Sequence, residues 1–77
     1  MVDIKSKLRR FINKKINVRV NNSKNIIGIL LSYDKFMNIV VTNAEEVDNN
    51  KKLNEKKIKN LGLVVLRGSE IIFIFTE

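Results

Sequence analysis

The sequence predicts a mostly β fold: a short N-terminal α-helix followed by a five-stranded, strongly bent antiparallel sheet that forms a small, partly open barrel. Three observations predict it. The apolar period changes from helical to alternating near residue 15, β-branched runs then recur at short spacing between polar turns, and Gly28 interrupts the second run. A glycine inside such a strand marks a bend or bulge, which a small barrel needs at its corners.

Ile4, Leu8, Phe11 and Ile12 fall at i, i+4, i+7 and i+8, with Lys5, Lys7, Arg9 and Arg10 off the stripe. This is one amphipathic helix over about residues 3–13, with Asp3 as its N-cap and Asn13 at its end. Ile16, Val18 and Val20 then alternate with Asn17, Arg19 and Asn21, the pattern of a half-buried strand. Asn21-Asn22-Ser23-Lys24 makes the hairpin turn, because asparagine tolerates positive φ. The second strand spans Asn25–Ser32, the third Asn38–Glu45, the fourth about Lys56–Leu66 and the fifth Glu70–Phe75. Residues 46–55 read as a variable polar loop, with Lys51, Lys52, Lys56, Lys57 and Lys59 in or beside it as a solvated set. No repeat or linker divides the chain, so residues 1–77 are expected to be one domain.

Composition narrows the function. The 77 residues hold 15 Lys and Arg against 8 Asp and Glu, a net charge of +7, with no Cys and no His. The charge favours a polyanionic partner through counterion release. Without Cys or His, disulfides, the usual zinc sites and a nucleophile–base triad cannot be built, so neither an enzyme nor a cofactor is expected. No apolar run reaches the roughly 18 residues of a membrane-spanning helix, and nothing points to a membrane or a small-molecule substrate.

Two connections carry the chemistry. Tyr33-Asp34-Lys35-Phe36-Met37-Asn38 places an acid, a cation, an aromatic and an amide between two apolar strands, and Arg67-Gly68-Ser69-Glu70 separates two more. An aromatic that stacks, an amide that reads a base edge and an arginine that does both suit single-stranded nucleic acid. A turn pair Asp34–Asn38 and a solvated Arg67 would account for the same residues without a ligand. The fifth strand, Ile71-Ile72-Phe73-Ile74-Phe75, is apolar on both faces, as are Leu63 to Leu66 in the fourth. A free edge of this kind is an aggregation hazard, and pairing with a neighbouring subunit removes it. Repeated head to tail, that contact closes a ring. The expected interface residues are Leu63, Val65, Leu66, Ile72, Phe73 and Ile74.

Over nearly its whole length the sequence resembles the Sm and Sm-like ring proteins. The first motif is carried by Val18 to Ala44, in particular Gly28-Ile29-Leu30 and Asp34-Lys35-Phe36-Met37-Asn38-Ile39-Val40-Val41. The second is Leu61-Gly62-Leu63-Val64-Val65-Leu66-Arg67-Gly68. These place the first motif at about residues 16–45 and the second at about 56–76. Leu66 before Arg67, and Asp34-Lys35 ahead of the stacking position, look most like the B paralogue of the spliceosomal Sm proteins. Ser23 stands where the family usually has a glycine.

The resemblance implies the Sm fold and a ring of six or seven subunits holding a uridine-rich single-stranded RNA such as a small nuclear RNA. By position it implies that Phe36 stacks on a base, Asn38 reads the base edge and Arg67 stacks on the opposite side. Gly68 gives the backbone room, Asp34 holds Asn38, and Lys35 and Met37 support. The implied role is a nuclear subunit of a hetero-heptameric spliceosomal core, assembly in the cytoplasm being allowed. The alternatives are an Sm-like subunit in RNA decay or processing, or a homomeric RNA chaperone.

Overall fold

A computed structural model describes residues 4–21, 24–50 and 55–76, with side chains for 8–21, 24–48 and 58–76. The expected Asp3 cap, the Asn22–Ser23 turn, Lys51 and Lys52, and the side chains of Ile4, Lys5, Lys7, Lys56 and Lys57 lie outside these. The elements run α1 (Ile4–Phe11), β1 (Lys15–Val20), β2 (Lys24–Tyr33), β3 (Ile39–Asn50), β4 (Glu55–Leu66), a 3₁₀ turn at Gly68–Glu70, and β5 (Ile71–Phe75). The five antiparallel strands are ordered β4-β3-β2-β1-β5, leaving β4 and β5 as the two edges of a sheet that does not close. Fold class and element order are those the sequence predicts.

The apolar stripe of α1 reaches the core through Leu8, which has no solvent exposure, while Arg9 and Arg10 face solvent. Asn13 ends the helix in the left-handed region at φ 65°. Its N–H then donates to the Leu30 carbonyl at 2.7 Å, and the Leu30 N–H donates to the Lys14 carbonyl at 3.1 Å, stitching the helix end to β2. Asparagine is among the few non-glycine residues that adopt this conformation readily. Leu8, Ile16, Val18, Ile26, Leu30, Ile39, Val41 and Ala44 form the core.

The sheet bends where its register slips. β2 and β3 shift register between Ile27 and Ile29, at Gly28, where a Cβ would lie 2.9 Å from the Thr42 carbonyl and 3.1 Å from the Ala44 Cα. The β3–β4 pair shifts around Ala44, where Asn43 (φ 52°) and Gly62 (φ 72°) take up the extra backbone. Such bulges sharpen strand twist and let a short sheet curl over one core.

Two readings are corrected. The variable loop assigned to residues 46–55 is shorter, because β3 continues to Asn50 and β4 begins at Glu55. Beyond the bulge the two strands stay paired, with residues of opposite charge at facing positions, Glu46↔Lys59 and Asp48↔Lys57, and with Val47↔Ile58 between them. Cross-strand pairs of this kind support a ribbon, and Val47 is buried. A run of charged residues conceals a strand when its partner strand carries the complementary charge. Asn17, on the polar side of the alternation, is only 4% exposed: β1 is an inner strand, and Asn17 sits between Ile27 of β2 and Phe75 of β5.

Candidate nucleic-acid interface

The turn joining β2 to β3 is built around one carboxylate. Asp34 Oδ1 accepts the backbone N–H of Phe36 at 2.8 Å and that of Asn38 at 3.0 Å, while Oδ2 accepts from the Asn38 side-chain amide at 2.9 Å. Backbone bonds from the Met37 N–H to the Asp34 carbonyl (3.1 Å) and from the Asp34 N–H to the Asn38 carbonyl (3.0 Å) close the turn. An aspartate at the head of a turn is favoured for this reason: its side chain supplies the acceptors that the turning backbone lacks. The Asn38 amide foremost, with the two backbone N–H groups and nearby Lys35, holds the Asp34 carboxyl below the ordinary carboxylate range, outweighing its slight desolvation.

The second connection meets the first at Asn38, whose Oδ1 accepts the Gly68 N–H at 2.9 Å. A Cβ on Gly68 would collide with the Phe36 carbonyl oxygen and come within 2.9 Å of the Met37 Cβ. Glycine is therefore needed here for the two connections to touch. The resemblance implied that Gly68 gives the backbone room to approach; the sequence alone did not say that what approaches is the Phe36–Met37 backbone.

The resulting cluster brings Asp34, Lys35, Phe36, Asn38, Arg67 and Gly68 together. Phe36 is 68% exposed, and the Lys35 ammonium lies 5.1 Å from its ring centroid. Arg67 is exposed, directly before the Gly68 that bonds Asn38. Met37 adopts φ 67° and packs against the core, whereas Phe36 beside it stays exposed. An amide has two donors and two acceptor lone pairs. With one donor committed to Asp34 and one lone pair to Gly68, Asn38 keeps one of each for a ligand.

The expected interface residues divide. Leu63 and Val65 on β4 (both 66% exposed), and Ile72 and Phe73 on β5, are exposed apolar side chains on the edge strands. Leu66 and Ile74 are half-buried and pack on the core. Phe75 joins the exposed set, its ring 5.4 Å from that of Phe73.

The LSM domain family matches residues 6–76. The chain belongs to that family. It is 34% identical over 67 residues to a probable small nuclear ribonucleoprotein G of Arabidopsis thaliana, covering 87% of this chain and 76% of the relative. It is 34% identical over 71 residues to the LSM complex subunit LSM7 of Saccharomyces cerevisiae, covering 84% and 62%. A small nuclear ribonucleoprotein-associated protein B of Schizosaccharomyces pombe is 35% identical over 80 residues, covering 94% and 53%.

Among solved structures, a heptameric archaeal Sm protein shares 30% identity with a TM-score of 0.78, covering 91% of this chain and 94% of that one. A Pyrococcus abyssii Sm protein solved with a uridine heptamer shares the fold at TM-score 0.81 and 24% identity, covering 96% and 97%. This LSM-domain chain thus has the Sm fold, but its assignment to the B paralogue is not supported. Relatives of G type recur across plants, yeasts and an insect. The matches span both motifs, so Leu66 and Asp34-Lys35, two details inside shared segments, do not decide between paralogues.

Proposed function

We propose that this chain is a subunit of an Sm-type ring that binds uridine-rich single-stranded RNA, in the core of a nuclear spliceosomal ribonucleoprotein. The observation that carries the reading is the hydrogen-bonded line Asp34–Asn38–Gly68, which holds an exposed Phe36 and an exposed Arg67 on adjoining connections. A base between the Phe36 ring and the Arg67 guanidinium gains about 1–3 kcal/mol from stacking. The free donor and acceptor of Asn38 address the base edge, and Asp34 acts through Asn38 without touching RNA. One such site is weak. Repeated around a ring on a continuous strand, it becomes multivalent.

Residues 1–77 act as one such domain, and the function is binding rather than catalysis. The ring forms by pairing the β4 edge of one subunit with the β5 edge of the next, with Leu63, Val65, Ile72 and Phe73 at the seam and Leu66 and Ile74 supporting from the core side. The neighbours are other Sm subunits in a hetero-heptamer. The ribonucleoprotein relatives, those of G type above all, support a spliceosomal setting.

A second reading is favoured by the LSM7 match at similar identity: an Sm-like subunit of an RNA decay or processing ring. Native mass spectrometry of the complex purified from its source cell separates them. Small nuclear RNA with Sm subunits is the expected finding; messenger RNA fragments with Sm-like subunits alone would replace it with the second reading.

A further inference from the structure

The two faces of Phe36 are unequal. Its ring is exposed on a turn fixed by four hydrogen bonds to Asp34 and Asn38, and the Lys35 ammonium stands over the ring at 5.1 Å from its centroid. Among the described residues the ion pair is Lys24–Glu46 at 3.7 Å, and Lys35 has no part in it. We propose that Lys35 is the phosphate-contacting residue of this site, covering one face of Phe36 so that a base enters against the other. The inference rests on the RNA-binding reading above.

An ammonium is a compact point charge with three donors and no acceptor, suited to a phosphate oxygen and unsuited to reading a base edge. Over the ring it is held by the quadrupole of the π system, a contact strong enough to position it and weak enough to yield. A base stacked on the uncovered face brings its own sugar and phosphates to the ring edge. From there the flexible lysine stem needs only to swing its head from ring to phosphate, keeping its methylenes against Phe36. Base selectivity then stays with Asn38, while Lys35 contributes a term independent of base and sensitive to salt.

The test is the affinity for fluorescent oligouridine across a range of salt concentrations, for the assembled wild type, Lys35→Gln and Lys35→Arg. For single strands each neutralised phosphate contributes about 0.7 to the slope of log K against log[salt]. Glutamine is expected to make the slope shallower by about that amount for each copy of this chain in the ring, about 0.7 in the proposed hetero-heptamer, arginine to restore it, and the preference for uridine over adenosine to stay unchanged. A glutamine slope equal to that of wild type, with tight wild-type binding, overturns the role of Lys35 alone. Failure of the wild type to bind at any salt concentration overturns the RNA-binding reading, and this inference with it.

Discussion

Asn38 and Gly68, thirty residues apart, are joined by a 2.9 Å hydrogen bond from the glycine N–H to the asparagine Oδ1. It turns two separate polar connections into one rigid surface, because the same amide is held from its other end by Asp34. Asn38→Ala removes both side-chain hydrogen bonds and leaves the half-buried Gly68 N–H without its acceptor. A loss of about 1–3 kcal/mol is expected in denaturant unfolding. A change within error would mean that the bond does not couple the connections.

Gly68→Ala and Gly62→Ala should both destabilise, for different reasons. At Gly68 the new methyl has no room beside Phe36 and Met37, so the connections are forced apart. At Gly62 there is open space and the difficulty is φ 72°, a backbone penalty of about 1 kcal/mol. Amide chemical shifts separate the two: Gly68→Ala should move the Phe36 and Asn38 resonances, and Gly62→Ala should leave them in place.

Because its partners depress the folded pKa of Asp34, its contribution is fully present above the unfolded value, near 3.9. It is lost as the pH falls through the lower folded value. The Phe36 and Asn38 amide shifts should therefore stay constant from neutral pH down to about 5 and move only in the acid range. Asp34→Asn should abolish that acid titration. A midpoint at or above the ordinary carboxylate value would contradict the hydrogen-bonded arrangement.

Val65→Lys and Leu66→Lys test the edge of β4. Val65 is 66% exposed, so the lysine should leave subunit stability within about 0.5 kcal/mol while reducing the assembled mass measured by light scattering. Leu66 packs on the core, so its lysine variant should unfold. Intact assembly by Val65→Lys would remove the β4 edge from the seam.

The fold was legible because each device left a local trace. The helical stripe of Leu8, Phe11 and Ile12, the turn residue Asn13 and the mid-strand Gly28 each mark one structural event. Of the paired arm, the β4 half was legible from about Lys56 but the β3 half beyond Glu45 was not, since Glu46 and Asp48 read alone as solvated charges and only their register against Lys59 and Lys57 makes them a strand. The candidate site was half legible. Phe36, Asn38 and Arg67 stand out by chemical type, whereas the contact of Gly68 with Phe36 and Met37 depends on two connections that only the folded sheet brings together. In β4 the inward turn of Leu66 is the plain alternation of Val64, Val65 and Leu66, whereas in β5 a register shift against β1 leaves both Ile72 and Phe73 outward and Ile74 inward, which the sequence pattern does not show.

The most direct test of the central claim is the equilibrium affinity of the assembled protein for oligouridine, compared between wild type and Asn38→Ala/Arg67→Ala at matched oligomeric mass. Wild type is expected to bind tightly and the double variant at least about tenfold more weakly, with the ring intact. Equal affinities in equally assembled proteins would contradict it.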